Sequence, residues 1–355
     1  MLFRSGPGLA AAAAANAIYA PYDSGPGLAW NDRIELLKQV DAQARRKYPD
    51  LVDLTLSLGM NGSAKALVTG EGARAFSDVA RSVFSARLTL DSKQGPVALA
   101  DQLGGLGDVD AARFDPALLM ALIDSLYEEL RAKADGVHCE PGQHDVVLDS
   151  RLAGILAHEA IGHTCEADIV EAGSIAGDWL GQKVASEKIT LGDYAGRGPD
   201  DASNFEIHVD DEGVPCRDVT IVDQGVLRSF MHDRRTAAAF GVEPTGNARA
   251  FAYNDEPLVR MRNTAILGGG DKLEDMIGAI DNGYYFTRTG NGQADTTSEF
   301  MFAVVAGREV AAFELSRLLG WGIVPPVVER EGPRGIGSMQ LFIAHDPNEI
   351  GRAHV

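Results

Sequence analysis

Two segments of the chain place apolar residues at helical spacing. Residues 29–47 carry them on one face with Gln, Lys and Arg on the other, and residues 116–134 repeat Leu and Ile at the same period. Each segment is predicted to form an amphipathic helix. The apolar stripe of 116–134 is expected to pack in a core rather than to form a cofactor site.

Between these helices the period is two residues, as in a half-buried strand. Alternating runs cover residues 51–58, 65–69 and 80–90, and Gly-containing stretches at 59–62 and 70–72 separate them. The pattern predicts a β-meander that turns at the glycines.

The second half of the chain mixes short strands with short helices. A strand is predicted at residues 145–148, followed by an apolar helix from about Ser150 that Asp149 or Ser150 can cap. Gly-containing hairpin turns separate some of the later strands. The remaining predicted elements are strands at 205–210, 219–222, 226–231 and 300–305 and a helix at 271–280.

These elements predict an α+β fold of about two domains, a helix-plus-β-meander domain and a mostly antiparallel β domain that carries the helix beginning near Ser150. Both chain ends resemble translated sequencing adapters, so we expect the natural protein to extend beyond them. The predicted divisions are an artefactual or poorly ordered end at 1–25, the N-terminal domain at 26–140, the C-terminal domain at 141–308, and a divergent, truncated or frame-shifted tail at 309–355.

Composition narrows the classes of partner. With 51 acidic and 32 basic residues the formal charge is −19, which argues against nucleic acid or anionic lipid as the main partner. No apolar run reaches the ~18 residues that a membrane-spanning helix needs. The three cysteines, Cys139, Cys165 and Cys216, are too few for a disulfide framework, so a cytoplasmic location is expected.

The strongest chemical signal lies at residues 158–163, which read His-Glu-Ala-Ile-Gly-His. Imidazole ligands from His158 and His163, with Glu159 to take a proton from the attacking water, would suit a hydrolytic zinc site. In the common H-E-x-x-H pattern the histidines are four positions apart and share a helix face. Here they are five apart.

That spacing predicts a backbone irregularity. Five steps of about 100° would place His158 and His163 roughly 140° apart on a regular helix, too far for both to bind one ion. A π-helical turn would bring them to one face, and such turns occur mainly at functional sites. Gly162 is the residue at which a helix deforms most easily.

A second interpretation stays open, in which the two histidines are core residues bonded to a buried carboxylate. The cluster is rich in polar side chains, and burying them beside apolar neighbours is costly unless something pairs them. A cation is the simplest partner. The residues concerned are His158, Glu159, His163, Glu166 and Asp168.

Six blocks of sequence carry a family resemblance, at residues 158–168, 210–215, 225–227, 244–247, 262–264 and 290–295. In this order they resemble the TldD/PmbA family of zinc metallopeptidases, in its motif-bearing TldD type. The resemblance implies that His158 and His163 bind Zn²⁺ and that Glu159 polarises the attacking water and shuttles its proton. It also implies a motif-less family partner subunit in a heteromeric assembly.

The chain departs from the family at the third zinc ligand. The family's ligand is a cysteine in a Gly-rich segment near the C-terminus, and no cysteine follows Cys216 here. Cys165, seven positions after His158, is a candidate substitute, although a small buried thiol is the simpler interpretation. We attribute the missing ligand to truncation and expect little or no activity from these 355 residues.

The predicted function is hydrolysis of unfolded or small peptides, held as an added strand at a sheet edge. Two other functions stay open. One is a non-catalytic assembly partner of the same family, against which Glu159 and both histidines count. The other is a metal-dependent hydrolase of a non-peptide bond, which an assay on unstructured peptides with a Glu159→Ala control would separate. No substrate-binding residue is predicted.

Overall fold

The structure is a computed structural model. It describes residues 16–19, 27–93, 95–110, 112–196, 206–280, 282–294, 300–310, 331–332 and 335–336. The expectations for the end at 1–25 and the tail at 309–355 therefore fall largely outside the described residues.

The first half of the chain is a β-sheet covered by two helices. Its elements are β1 (Asn16–Tyr19), α1 (Trp30–Lys47), β2 (Asp53–Val68), β3 (Arg74–Ser92), β4 (Gly95–Leu106) and α2 (Pro116–Ala134). The central strand β3 pairs antiparallel with β2 and β4 and parallel with β1. Asp115 caps α2 by accepting a hydrogen bond from the N–H of Ala117, and Pro116 suits the first helical position.

The alternation of these strands produces a core on one face of the sheet. Buried residues of β3 such as Phe84 and Leu88 pack against Val40 of α1 and against Ile123 and Leu126 of α2. At about 25 cal/mol per Å² of apolar area removed from water, each fully buried side chain of this size contributes about 1.5–3 kcal/mol. Both predicted helices form, and their apolar stripes face this core as expected.

The meander differs from the prediction in its strands. The sequence pattern does not predict β4, and the strand predicted at 80–90 extends over Arg74–Ser92 as β3. The runs predicted as separate strands at 51–58 and 65–69 form one strand, β2, which is continuous through the stretch at 59–62. It pairs with β3 residue by residue from Asp53 to Val68. Because the neighbouring strand supplies a full ladder of hydrogen bonds, the weak strand preference of glycine does not end the strand here.

The second half of the chain holds shorter elements. They are β5 (Asp145–Leu148), α3 (Ser150–Leu156), a π-helical turn (Ala157–Gly162), a 3₁₀ turn (His163–Cys165), α4 (Ala167–Glu171), α5 (Ala176–Trp179), β6 (Leu191–Tyr194), β7 (Val219–Asp223), β8 (Val226–Leu227), α6 (Arg234–Phe240), β9 (Ala248–Arg249), β10 (Leu258–Val259), β11 (Asn263–Ile266), α7 (Leu273–Gly278), β12 (Gly283–Ala294) and β13 (Phe300–Glu309). Two further strands, β14 (Glu331–Gly332) and β15 (Gly335–Ile336), pair with each other.

Two small sheets dominate this half. One has the strand order β11, β6, β7, β8 and is antiparallel throughout. The other has the order β13, β12, β5, in which β12 pairs antiparallel with β13 and parallel with β5. The α+β fold class is therefore confirmed. The domain boundary near residue 140 and the outer divisions stay predictions.

Three expectations for this half need correction. The predicted strand at 205–210 is wrong, because among the described residues 206–210 only Val209 pairs, in an isolated bridge with Pro215. The strand predicted at 226–231 ends at Leu227, and Met231 pairs instead with Glu166. The helix predicted at 271–280 is shorter, Leu273–Gly278.

Across the described residues, the helices are all too short or too polar to traverse a lipid bilayer.

Candidate metal centre

The motif histidines lie on a π-helical turn. Asp149 caps α3 by accepting a hydrogen bond from the N–H of Leu152, as predicted, and α3 runs directly into the π turn. The backbone N–H of His163 donates to the carbonyl of His158, which is the five-residue bond of a π-helix. The irregularity that the five-residue spacing predicts is therefore confirmed.

This turn brings three side chains together. The rings of His158 and His163 are 4.7 Å apart between centroids and nearly perpendicular, at 82°. Nε2 of His163 lies 3.8 Å from Oε2 of Glu159. Ligand atoms of His158, Glu159 and His163 all lie within 4.8 Å of one another. Two imidazoles beside a carboxylate are a donor set that suits Zn²⁺.

Close packing behind the turn depends on two glycines. A Cβ on Gly162 would lie 2.0 Å from Sδ of Met261, so a larger residue here would displace the Met261 side chain from the turn. A Cβ on Gly292 of β12 would lie 2.3 Å from Oε1 of Glu159. The strand thus passes directly against the carboxylate, which leaves Glu159 only 5% exposed.

The hydroxyl of Thr164 satisfies backbone groups at the end of the turn. A π turn leaves carbonyls without their usual helical donors, and unpaired buried carbonyls are costly. Oγ1 of Thr164 lies 3.2 Å from the carbonyl of Ala160 and 3.0 Å from that of Ile161, and it donates to this pair. The residue after His163 therefore stabilises the irregular backbone.

The pKa shifts of His158 and Glu159 suit a metal ligand and a proton acceptor, whereas the shift of His163 favours its protonated form in the metal-free protein. Burial and then repulsion by His163 lower the pKa of His158, which favours the neutral imidazole that binds metal. Burial raises the pKa of Glu159, which favours proton uptake by this carboxylate. The pKa of His163 is raised, chiefly by the carboxylate of Glu166.

A second carboxylate and an arginine lie beside the group. Oε2 of Glu166 is 3.5 Å from Nδ1 of His163 and 3.5 Å from Nη1 of Arg260. Sequence reasoning placed Glu166 in the polar cluster but gave it no role, and it missed Arg260. The signal for Glu166 was its position three residues after His163, one helical turn away.

The other candidate ligands do not join the group. Cys165 packs in a hydrophobic cluster with Val219 and Ile221, and burial raises the pKa of its thiol to about 12. It is therefore a buried thiol, the simpler of the two interpretations. Asp168 is half-buried and accepts a hydrogen bond from the N–H of Ile169. Among the described residues, the three-residue group is the one that could hold a metal ion.

A buried ion pair lies under the site and was also missed. Nε of Arg262 is 2.8 Å from Oδ2 of Asp193, and both side chains are fully buried. Asn247 donates to the same carboxylate oxygen at 2.8 Å. The pair joins β6 to the residue that precedes β11, and β11 packs against the π turn. The segments at 244–247 and 262–264 therefore contribute to the structure beneath the histidines.

Solved structures share this α+β fold. TldE from Thermococcus kodakarensis aligns with a TM-score of 0.70 at 18% identity, over 92% of this chain and 70% of that one. A putative modulator of DNA gyrase from Thermotoga maritima aligns with a TM-score of 0.71 at 18% identity, over 90% of this chain and 70% of that one. At this level of identity the likeness establishes the fold alone.

The sequence comparisons establish the family. Residues 141–312 match the PmbA/TldA metallopeptidase C-terminal domain. The zinc metalloprotease TldD homolog of Saccharolobus solfataricus is 29% identical over 294 residues, which are 81% of this chain and 64% of that protein. The metalloprotease TldD homolog of Buchnera aphidicola from Acyrthosiphon pisum is 37% identical over 190 residues, which are 51% of this chain and 39% of that protein.

The chain belongs to the TldD/PmbA family, whose named relatives here are metalloproteases. It spans 64% of the length of the first relative and 39% of that of the second. The activity, substrates and partners of the whole protein are therefore matters of proposal.

Proposed function

We propose that this protein is a zinc-dependent peptidase subunit that hydrolyses unfolded or small peptides. The observation that carries the proposal is the π turn, which aims the rings of His158 and His163 at a common space beside Glu159. A helix that gives up its regular hydrogen bonds at two histidines and an acid is expected at a functional site rather than in an inert core.

The residues would divide the chemistry in the following way. His158 and His163 would hold Zn²⁺, which lowers the pKa of water and polarises a peptide carbonyl when bound. Glu159 would accept a proton from the attacking water and return it to the departing amine nitrogen as the C–N bond breaks. Its raised pKa suits a group that must take up a proton and release it in each cycle.

Separate observations support substrate access, a partner subunit and a cellular location. The side chain of His163 is 37% exposed, so a peptide can reach the site from solvent on that side. The structural likeness to a protein named TldE supports a motif-less family partner subunit in a heteromeric assembly. Three cysteines in 355 residues are too few for a disulfide framework, which supports a cytoplasmic location.

Zinc binding is the first test. We expect the metal-free chain to bind zinc in competition with a chromophoric chelator, and His158→Gln and His163→Gln to abolish this binding. His144→Gln is the matched control, because His144 contacts Glu140 and lies outside the three-residue group. Zinc binding that persists in both motif variants would contradict the proposed site. No zinc binding by the wild-type chain would favour a non-catalytic assembly partner.

Hydrolysis is the second test. Assays use an unstructured fluorogenic peptide alongside activated ester and phosphodiester substrates. Since a site with two histidines holds zinc weakly, we expect the 355-residue chain to cleave the peptide slowly or undetectably. The product of the uninterrupted reading frame past Val305 should cleave the peptide if that frame supplies a Gly-flanked cysteine, and Glu159→Gln should abolish cleavage. Cleavage of the esters but not the peptide would instead indicate a hydrolase of another bond.

A further inference from the structure

The carboxylate of Glu166 is buried next to the proposed metal ligands. The residue is 1% exposed, and its oxygen Oε1 is buried without a hydrogen-bond partner. The other oxygen faces Nδ1 of His163 at 3.5 Å. Because a buried carboxylate costs free energy unless polar groups compensate it, its position here requires an explanation.

The carboxylate of Glu166 does not serve the start of the helix that follows it. Glu166 is the N-cap residue of α4, a position at which a side-chain oxygen can accept hydrogen bonds from the first backbone N–H groups. Its side chain makes no capping hydrogen bond. The carboxylate is directed toward His163 instead, which indicates a role at the imidazole rather than at the helix end.

The backbone of Glu166 is held from another segment of the chain. The N–H of Met231 donates to the carbonyl of Cys165 at 3.0 Å, and the N–H of Ala167 donates to the carbonyl of Met231 at 3.0 Å. These two hydrogen bonds flank Glu166 and form a parallel bridge. The carboxylate is thus presented by a fixed backbone rather than by a free helix end.

The two nitrogens of His163 face different carboxylates. Nε2 lies 3.8 Å from Glu159, on the side of the three-residue group, whereas Nδ1 lies 3.5 Å from Glu166. A ring that donates its Nδ1–H to a carboxylate keeps the lone pair of Nε2 available for a metal ion. Such a carboxylate also restricts rotation of the ring.

We propose that Glu166 is a positioning residue, which accepts the Nδ1–H of His163 and holds Nε2 toward the metal. The proposal rests on the proposed function, because it assigns the ligating nitrogen of that same site. Arg260 contributes by sharing Oε2 of Glu166 at 3.5 Å, which offsets part of the negative charge. The 3.5 Å separation at Nδ1 would close by a small rotation of the ring.

Zinc affinity tests the proposal without any activity measurement. Glu166→Gln keeps the size of the side chain but removes its charge, and we expect the zinc dissociation constant to rise about 10- to 100-fold, as when outer partners of ligating histidines are removed. Glu171→Gln is the matched control. It makes the same change at the C-terminal end of α4, where Glu171 pairs with Arg235, and should leave the affinity within about twofold of wild type.

A spectroscopic readout reports directly on the wild-type site. In zinc-loaded wild-type protein labelled with ¹⁵N at histidine, and with His163 assigned by His163→Gln, we expect zinc at Nε2 and a proton at Nδ1. Ligation through Nδ1 would overturn the proposal, as would an unchanged zinc affinity in Glu166→Gln.

The outcomes separate this proposal from the function on which it rests. If wild-type protein binds zinc through His158 and Glu166→Gln matches it, the positioning role is wrong and the metal site stands. If wild-type protein binds no zinc, both fall.

Discussion

Replacing Arg262 with methionine would leave the carboxylate of Asp193 buried without its countercharge. The guanidinium Nε lies 2.8 Å from Oδ2, and the backbone N–H of Arg262 donates to Oδ1 at 2.7 Å. Methionine keeps much of the aliphatic volume and removes the charge. Breaking a fully buried pair from one side costs about 3–5 kcal/mol, because the remaining ion stays desolvated.

The structure indicates where in that range the loss of stability should lie. The hydrogen bond from Asn247 to Asp193, 2.8 Å long, would survive and continue to compensate the carboxylate. The guanidinium also donates to the carbonyls of Arg217 and Thr245, and both would lose this donor. These effects oppose each other, so we expect the free energy of unfolding to fall by about 4 kcal/mol.

Urea unfolding followed by far-ultraviolet circular dichroism measures the change. Arg228→Met is the matched control, because Arg228 pairs with Asp223 at 3.7 Å with both side chains about half exposed; it should cost less than about 1 kcal/mol. Adding Asp193→Asn to Arg262→Met should recover part of the loss, since neither charge then remains buried alone. A loss below about 1 kcal/mol for Arg262→Met, or strictly additive effects, would refute the reasoning.

Three further predictions concern the site and its surroundings. Gly292→Ala should move the Glu159 carboxylate by about 1 Å and slow peptide hydrolysis by the product of the uninterrupted reading frame about 100-fold at unchanged zinc affinity. Gly154→Ala in α3 is the control, because a Cβ at Gly154 would meet no atom within 4 Å, and equal rates in the two variants would contradict the prediction. Burial lowers the pKa of His232 to about 4, so the unfolded state takes up this proton at a higher pH than the folded state does. Between pH 6.5 and 4 the unfolding free energy of wild type should therefore fall by about 3 kcal/mol more than that of His232→Phe. Parallel pH profiles of the two proteins would contradict this prediction. Zinc at 100 times its dissociation constant should raise the unfolding free energy by about 2.7 kcal/mol, measured by urea unfolding, and should leave His158→Gln unchanged.

Sequence reasoning predicts a structural feature correctly here when the residues that determine the feature are close together in the chain. The helix predicted at 116–134 forms with the bounds Pro116–Ala134, since its apolar period and its cap are local properties. The π turn follows from the five-residue spacing of His158 and His163. A regular helix would place the two rings on different faces, whereas a π-helical turn places them on one face.

Features that depend on distant partners escaped prediction. Asp193 and Arg262 are 69 positions apart, and although Arg262 lies in the block at 262–264, nothing in the local sequence indicates its partner. Gly292 lies in the block at 290–295, but the local sequence does not show that it lets a strand pass against Glu159. Met231 ends the predicted strand early because it pairs with Glu166. Local propensity carries no information about such pairings.

The contacts that hold the π turn come from the protein itself. Thr164 satisfies the carbonyls of Ala160 and Ile161, and Gly162 allows Met261 to pack against the turn. From these contacts we expect folding to bring the two histidine rings together without an ion, unlike the ligands of small domains that fold only with zinc. Zinc removal by a chelator should accordingly leave the far-ultraviolet circular dichroism unchanged. It should also lower the midpoint of urea unfolding to the value measured for protein without zinc. Loss of helical signal on chelation would show instead that the ion assembles the turn.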